Sequence, residues 1–182
     1  MSDPFALAVD FASGALTPAT SRTERRVSHL RAHFADREAA AELVGQGDPL
    51  VYEVMQYDVA EVPGELVCCT TVIQPGVVGD EYYMTKGHYH AKRQTGEVYL
   101  GLSGAGHLLL TNEHGDFREL PMGTGTIGYV APGWAHRTVN VGDEPFSFLA
   151  VYLADSGHDY ETIEQTGFPR RMVKTADGPS LR

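Results

Sequence analysis

From Leu50 onward the chain consists of short alternating or apolar runs, each closed by Gly, Pro, Asn or Asp. A period of two sends successive side chains to opposite faces of a strand, and frequent turn residues keep the strands short. The pattern predicts strands near Val51–Asp58, Leu66–Ile73, Tyr82–His90, Glu97–Ser103, Gly106–Asn112, Phe117–Leu120, Thr126–Val130, His136–Val141 and Phe146–Ala154. Strands of this kind pack as a sandwich or close into a barrel, so the expected fold class is all-β. Asn112-Glu113-His114-Gly115-Asp116 reads as a hairpin loop with His114 exposed, and His107 has no evident partner.

Before Leu50 the pattern changes. Val27, Leu30, Phe34 and the alanines near Ala39 recur at helical spacing between charged residues. They predict one amphipathic helix over Thr23–Leu43, ended by Gly45, Gly47 and Pro49. His29 and His33 lie four apart on it and read as surface residues, since no third metal ligand is near. Phe5 to Leu16 alternates weakly and reads as an extra strand or an arm reaching a partner subunit. The chain thus divides into an N-terminal extension, 1–49, a β domain, 50–167, and a C-terminal tail, 168–182. The tail is polar and reads as mobile.

A chain of 182 residues suits one well-buried domain. No apolar run approaches the ~20 residues of a membrane span. Met1-Ser2-Asp3-Pro4 does not begin a secretory signal, so a cytoplasmic location is expected. Cys68 and Cys69 are adjacent and point to opposite strand faces, which argues against a disulfide framework. A net charge of −10 argues against nucleic acid as a partner. It leaves room for a small phosphorylated ligand, because Lys86, Lys92 and Arg93 cluster in sequence, although each singly reads as a solvated loop charge.

The cluster surrounds Gly87-His88-Tyr89-His90, which is followed by Glu97 and later by His136. Two histidines at a spacing of two share one face of a strand. Ala91-Lys92-Arg93-Gln94-Thr95-Gly96 makes a turn that lets Glu97 return facing them. Pro132-Gly133 makes a second turn leading to His136, and Trp134 beside it reads as a cavity wall. Three imidazoles and a carboxylate form a plausible shell for one divalent ion. Fe²⁺ is the first choice and Mn²⁺, Ni²⁺ or Zn²⁺ are the alternatives.

Thr85-Lys86-Gly87-His88-Tyr89-His90, Gly96 to Gly104, Tyr129 to His136, Asn140 and the run Tyr152 to Tyr160 together resemble the cupin-type glucose-6-phosphate isomerases. The resemblance covers about Leu50 to Gly167. General cupins have three or four residues between the second His and the Glu, where this chain has six. They also read Pro-x-Gly-x-x-His, where this chain reads Pro132-Gly133-Trp134-Ala135-His136, so the isomerase branch is the better match. The resemblance implies a single cupin barrel with an N-terminal helix and extra strands, a homodimer, and interconversion of glucose-6-phosphate and fructose-6-phosphate. It implies substrate contacts at Tyr52, Thr71, Thr85, Gly87, Tyr99, Tyr152 and Tyr160. Glu97 is the candidate base for proton transfer between C1 and C2, a role that competes with metal binding. A hydride shift needs no such base. His158 and Tyr152 are the acid–base candidates for ring opening. A cupin dioxygenase, a non-catalytic sugar-phosphate-binding cupin and an isomerase of another phosphosugar such as mannose-6-phosphate remain open alternatives.

Overall fold

Two antiparallel sheets face each other across the core in the computed structural model, which describes residues 3–182. Its main elements are β1 Ser21–Arg26, α1 Arg37–Gly45, β2 Leu50–Tyr57, β3 Leu66–Ile73, β4 Glu97–Ser103, β5 Ala105–Asn112, β6 Phe117–Gly123, β7 Ile127–Val130, β8 Trp134–Asn140, β9 Phe146–Leu153, α2 Glu161–Thr166, β10 Met172–Thr175 and β11 Gly178–Leu181. A six-stranded sheet runs β7-β4-β9-β3-β2-β1 and a three-stranded sheet runs β6-β5-β8. The fold is all-β, with the cupin-type barrel that the resemblance implied. No helix among the described residues is long and apolar enough to cross a membrane.

Composition explains the strands. β3 reads Leu-Val-Cys-Cys-Thr-Thr-Val-Ile, mostly β-branched and small apolar residues that suit a central strand. Between the sheets lie Ile73, Leu108, Val130 and Phe146, each at most 1 % exposed. Burial of each such side chain contributes ~1.5–3 kcal/mol. Asn140 is fully buried and satisfied: it donates to the Ile73 and Glu144 carbonyls and accepts from the Gly142 N–H, all at 2.9 Å. It thereby ties the end of β8 to the end of β3.

The N-terminal segment departs from the single helix expected over Thr23–Leu43. Thr23 to Arg26 belong to β1, which pairs with β2 at the edge of the large sheet. Val27–Leu30 is one helical turn, and Asp36 starts α1 by accepting from the Glu38 and Ala39 N–H groups at 3.1 and 2.8 Å. The helical spacing of Val27, Leu30 and Phe34 reflects burial, and an N-cap residue interrupts it. The segment expected as a strand over Tyr82–His90 is also broken. Only Glu81–Tyr82 and Tyr89–His90 are paired as strands, with single bridges at Met84 and His88. Gly87 sits between them at φ +77°, outside the strand region.

The tail from Arg170 is not a loose end. β10 and β11 form a hairpin that buries Met172 and Val173 against the core, and β10 pairs with Glu81. His107 has a partner after all, with Nδ1 2.6 Å from Glu119 Oε1 across the β5–β6 pair. His33, expected at the surface, is half-buried. His29 is exposed and accepts from the Arg26 N–H at 3.1 Å, and His114 is exposed as expected. Cys68 and Cys69 are both free.

Candidate active site

The inner face of the large sheet floors a cavity of about 220 Å³. This is smaller than the ~300–1,000 Å³ typical for drug-sized ligands and suits a small metabolite. Strand parity decides what faces it. Glu97 and Tyr99 point inward from β4, Tyr152 from β9, Thr71 from β3 and Tyr52 from β2. Thr85, Gly87 and His88 close the side formed by the irregular segment, and His158 and Tyr160 stand near the mouth. His136 enters from β8 on the opposing sheet.

His88, His90, Glu97 and His136 present ligand atoms that all lie within 4.8 Å of one another. Backbone pairing sets two of them together: His88 and His136 exchange N–H···O=C bonds at 3.2 and 3.0 Å. Gly87 makes this approach possible. A Cβ there would meet Phe168 Cε2 at 2.7 Å, besides being strained at positive φ. Glu97 Oε2 lies 3.0 Å from both His90 Nε2 and His136 Nε2.

The hydrogen bonds within the donor set suit a divalent cation. Thr95 Oγ1 donates to the Lys92 carbonyl at 2.8 Å, so toward His90 Nδ1, 2.8 Å away, it can only accept. The His90 proton therefore sits on Nδ1 and the Nε2 lone pair faces the Glu97 carboxylate. A cation between them stabilises that arrangement. His88 Nε2 and His136 Nδ1 are buried without hydrogen-bond partners, and His136 Nε2 has only the Glu97 carboxylate beside it. Burial, followed by the neighbouring imidazole charges, holds His88 well below the usual histidine range, which keeps it neutral and able to ligate. Burial tends to raise Glu97, but positive charge beside it, His136 first, outweighs this and holds the carboxyl at about 2.

Aromatic rings line the rest. His158 stacks on Tyr160 with centroids 5.6 Å apart and planes 7° apart, and its ring lies 4.5 Å from that of His88. Tyr152 meets His158 edge-on at 5.6 Å and donates to Gln56 Oε1 at 3.4 Å. Burial raises the Tyr52 phenol to about 12 and pushes Tyr99 and Tyr152 up as well, so all three are neutral donors near pH 7. Thr85 Oγ1 accepts from the Thr138 N–H at 3.0 Å, which leaves its own proton available.

Trp134 is a correction. It lies outside this cavity, beside a separate surface cleft with Arg93, Glu113 and His114. It shares the face of His136 on β8 but stands two residues nearer the strand's start, opposite Asn112 rather than Leu110, and so falls beyond the lining. The sequence cluster Lys86, Lys92 and Arg93 is spent on ion pairs with Glu164, Asp155 and Asp159, each at 2.5 Å. Of the three only Lys86 reaches the cavity. Sequence reading missed Thr23, Arg25, Val54, Gln56, Cys69, Phe148 and Ala150 in the lining. Parity with Tyr52, Thr71 and Tyr152 would have found those on β2, β3 and β9. Thr23 and Arg25 were hidden by the helical reading.

The glucose-6-phosphate isomerase (GPI) family profile matches residues 24–179. The glucose-6-phosphate isomerase of Pyrococcus horikoshii is 48% identical over 183 residues, covering 97% of this chain and 96% of that protein. That of Thermococcus litoralis is 48% identical over 172 residues, covering 94% and 90%. Among solved structures, oxalate decarboxylase from Bacillus subtilis superposes with a TM-score of 0.47 at 25% identity, over 59% of this chain. The present chain spans only 26% of that protein's length. The family match and the two full-length relatives agree with one another and leave one assignment: the chain belongs to the glucose-6-phosphate isomerase family.

Proposed function

We propose that this protein interconverts glucose-6-phosphate and fructose-6-phosphate with one divalent ion per subunit, Fe²⁺ being the first choice. The observation that carries the reading is the convergence of His88, His90, Glu97 and His136 at the end of a cavity lined by Thr and Tyr hydroxyls. When bound by these four residues, a divalent ion supplies Lewis-acid polarisation to a sugar carbonyl and its neighbouring hydroxyl. Tyr52, Thr71, Thr85 and the Gly87 backbone hold the phosphate end of the sugar, and Tyr99 and Tyr160 hold hydroxyls. His158 and Tyr152 face each other and serve as the acid–base pair for ring opening. Glu97 carries a proton between C1 and C2 in the enediol route, against the handicap of a carboxyl held at about 2. Deuterium from solvent appears in the product by that route and stays out by a hydride shift.

In this proposal the ligand-bearing barrel spans 50–167, with 1–49 and 168–182 as flanking segments. The enzyme works as a cytoplasmic homodimer in glycolysis and gluconeogenesis. The outer face of the large sheet supports the dimer. Ile127, Leu100 and Leu149 form one apolar row across β7, β4 and β9, and Tyr129, Val98 and Val151 form the next. Ile127 is 71% and Tyr129 59% exposed, an apolar patch of the kind that marks protein contact.

The test is a coupled assay of fructose-6-phosphate conversion on chelator-stripped protein with single metals added back. Activity that disappears on stripping and returns with one or more ions supports the isomerase. Folded, metal-loaded protein without turnover would favour a dioxygenase or a binding module instead.

A further inference from the structure

β1 has no apolar side chain, yet it forms an edge of the large sheet and sends Thr23 and Arg25 into the cavity. Its other arginines are paired: Arg22 with Glu53 at 2.5 Å and Arg26 with Glu24 at 3.3 Å. Arg25 forms no ion pair among the described residues, and its guanidinium donates only to the Glu24 backbone carbonyl at 3.1 Å. The other cationic side chain of the lining, Lys86, is neutralised by Glu164. In a chain of net charge −10, an unpaired guanidinium facing a cavity calls for an anion from outside.

Its surroundings indicate which anion. Arg25 lies opposite Tyr52 in the β1–β2 register. The Tyr52 hydroxyl accepts from the Lys86 backbone N–H, and the Arg25 charge acts on both Tyr52 and Tyr160. Arg25 thus stands over the Thr85–Gly87 end of the cavity, where hydroxyl and backbone donors gather without a positive charge of their own. A planar fork of N–H donors matches phosphate oxygens in pairs.

We propose that Arg25 is the cationic anchor for the substrate phosphate and the residue that makes the cavity prefer a phosphorylated over a neutral hexose. The proposal rests on the isomerase reading for the identity of the substrate, but its ligand chemistry is phosphate itself.

The test compares Arg25→Met, which keeps the stem and removes the charge, with Arg25→Lys, which keeps the charge and removes the fork. Metal-loaded wild type and variants are assayed for KM and kcat with fructose-6-phosphate, and titrated with inorganic phosphate by calorimetry. Arg25→Met is expected to raise KM and the phosphate dissociation constant together by about 10–100-fold, with kcat within about threefold. Arg25→Lys is expected to fall between. Melting temperature and metal content stay as in wild type. A KM and phosphate affinity within twofold of wild type, or a loss confined to kcat, overturns the role. Should Arg25→Met fail to fold, Arg25→Lys decides: unchanged KM and phosphate affinity in it also overturn the role. If wild type binds phosphate through Arg25 but turns over no phosphosugar, the isomerase reading fails and the anchor survives.

Discussion

Arg137 Nη2 donates to the Lys86 carbonyl at 2.8 Å, fastening the residue after His136 to the residue two before His88. Arg137 is 4% exposed, and its guanidinium lies 4.5 Å over the Phe168 ring, the same ring that crowds Gly87. Burial lowers it to about 10 against the opposing charge of the buried Glu81, so it remains a cation near pH 7. Arg137→Met removes the fastener and leaves Glu81 poorly compensated. We expect a stability loss of ~3–5 kcal/mol and about tenfold weaker divalent-ion binding. Denaturant melts and ion titrations measure both, and unchanged ion affinity would contradict the fastening role.

The ligand set makes a sharper statement. Glu97→Ala and His136→Ala should each lose bound metal and activity together. Thr95→Val removes the nearer of the two acceptors that fix the His90 tautomer and leaves the Thr95 carbonyl at 3.2 Å, so it should weaken ion binding by about 10-fold without abolishing it. Metal content after dialysis, read beside turnover, checks all three. Full activity in either alanine variant would remove that residue from the site.

The apolar outer sheet predicts assembly. Wild type should run in light scattering at twice the 19.8 kDa of one chain. Ile127→Asp combined with Val98→Asp should shift it to the single-chain mass, because carboxylates in two adjacent rows of the patch, opposite Leu100 and Tyr129, cannot be desolvated in a dry interface. A wild-type mass of one chain would end the dimer proposal.

His33 predicts a pH effect on stability. Burial first, then the Arg137 and Lys86 charges, lower its imidazole to about 4, with Glu164 opposing and Arg37 adding slightly. In the unfolded chain it titrates near ~6.5. As pH falls from 6.5 to 4 the unfolded state takes up a proton that the native state refuses, so this group destabilises the fold progressively across that window. Above pH 6.5 it contributes nothing, and below 4 the loss is complete. His33→Asn should therefore lose less stability than wild type between pH 7 and 4.5 in urea melts. Equal losses would mean that His33 is solvated as an ordinary histidine.

Much of the barrel was legible because its strands follow simple alternation: β3 was expected at Leu66–Ile73 and is found there. The four ligand candidates were legible because a turn between His90 and Glu97 is written in polar residues and glycine. Two features were not. β1 is entirely polar, so no hydrophobic period marks it as a strand, and only its pairing with β2 makes it one. The same loss hid Arg25, whose neighbours Arg22 and Arg26 are alike in sequence and differ only in which way the pleat turns them. Trp134 was misplaced for the opposite reason: closeness in sequence to His136 was taken for closeness in space.

β4 has further reach than its seven residues suggest. Glu97 and Tyr99 look into the cavity, and Val98 and Leu100 look outward between β7 and β9. Deleting one residue from this strand would exchange the two sets, turning the carboxylate to solvent and bringing valine to the histidines. Chemistry and outer surface therefore share a single reading frame. Length changes are expected to be tolerated only in exposed turns such as 61–64 and 113–116, whereas the strands between them can diverge by substitution alone.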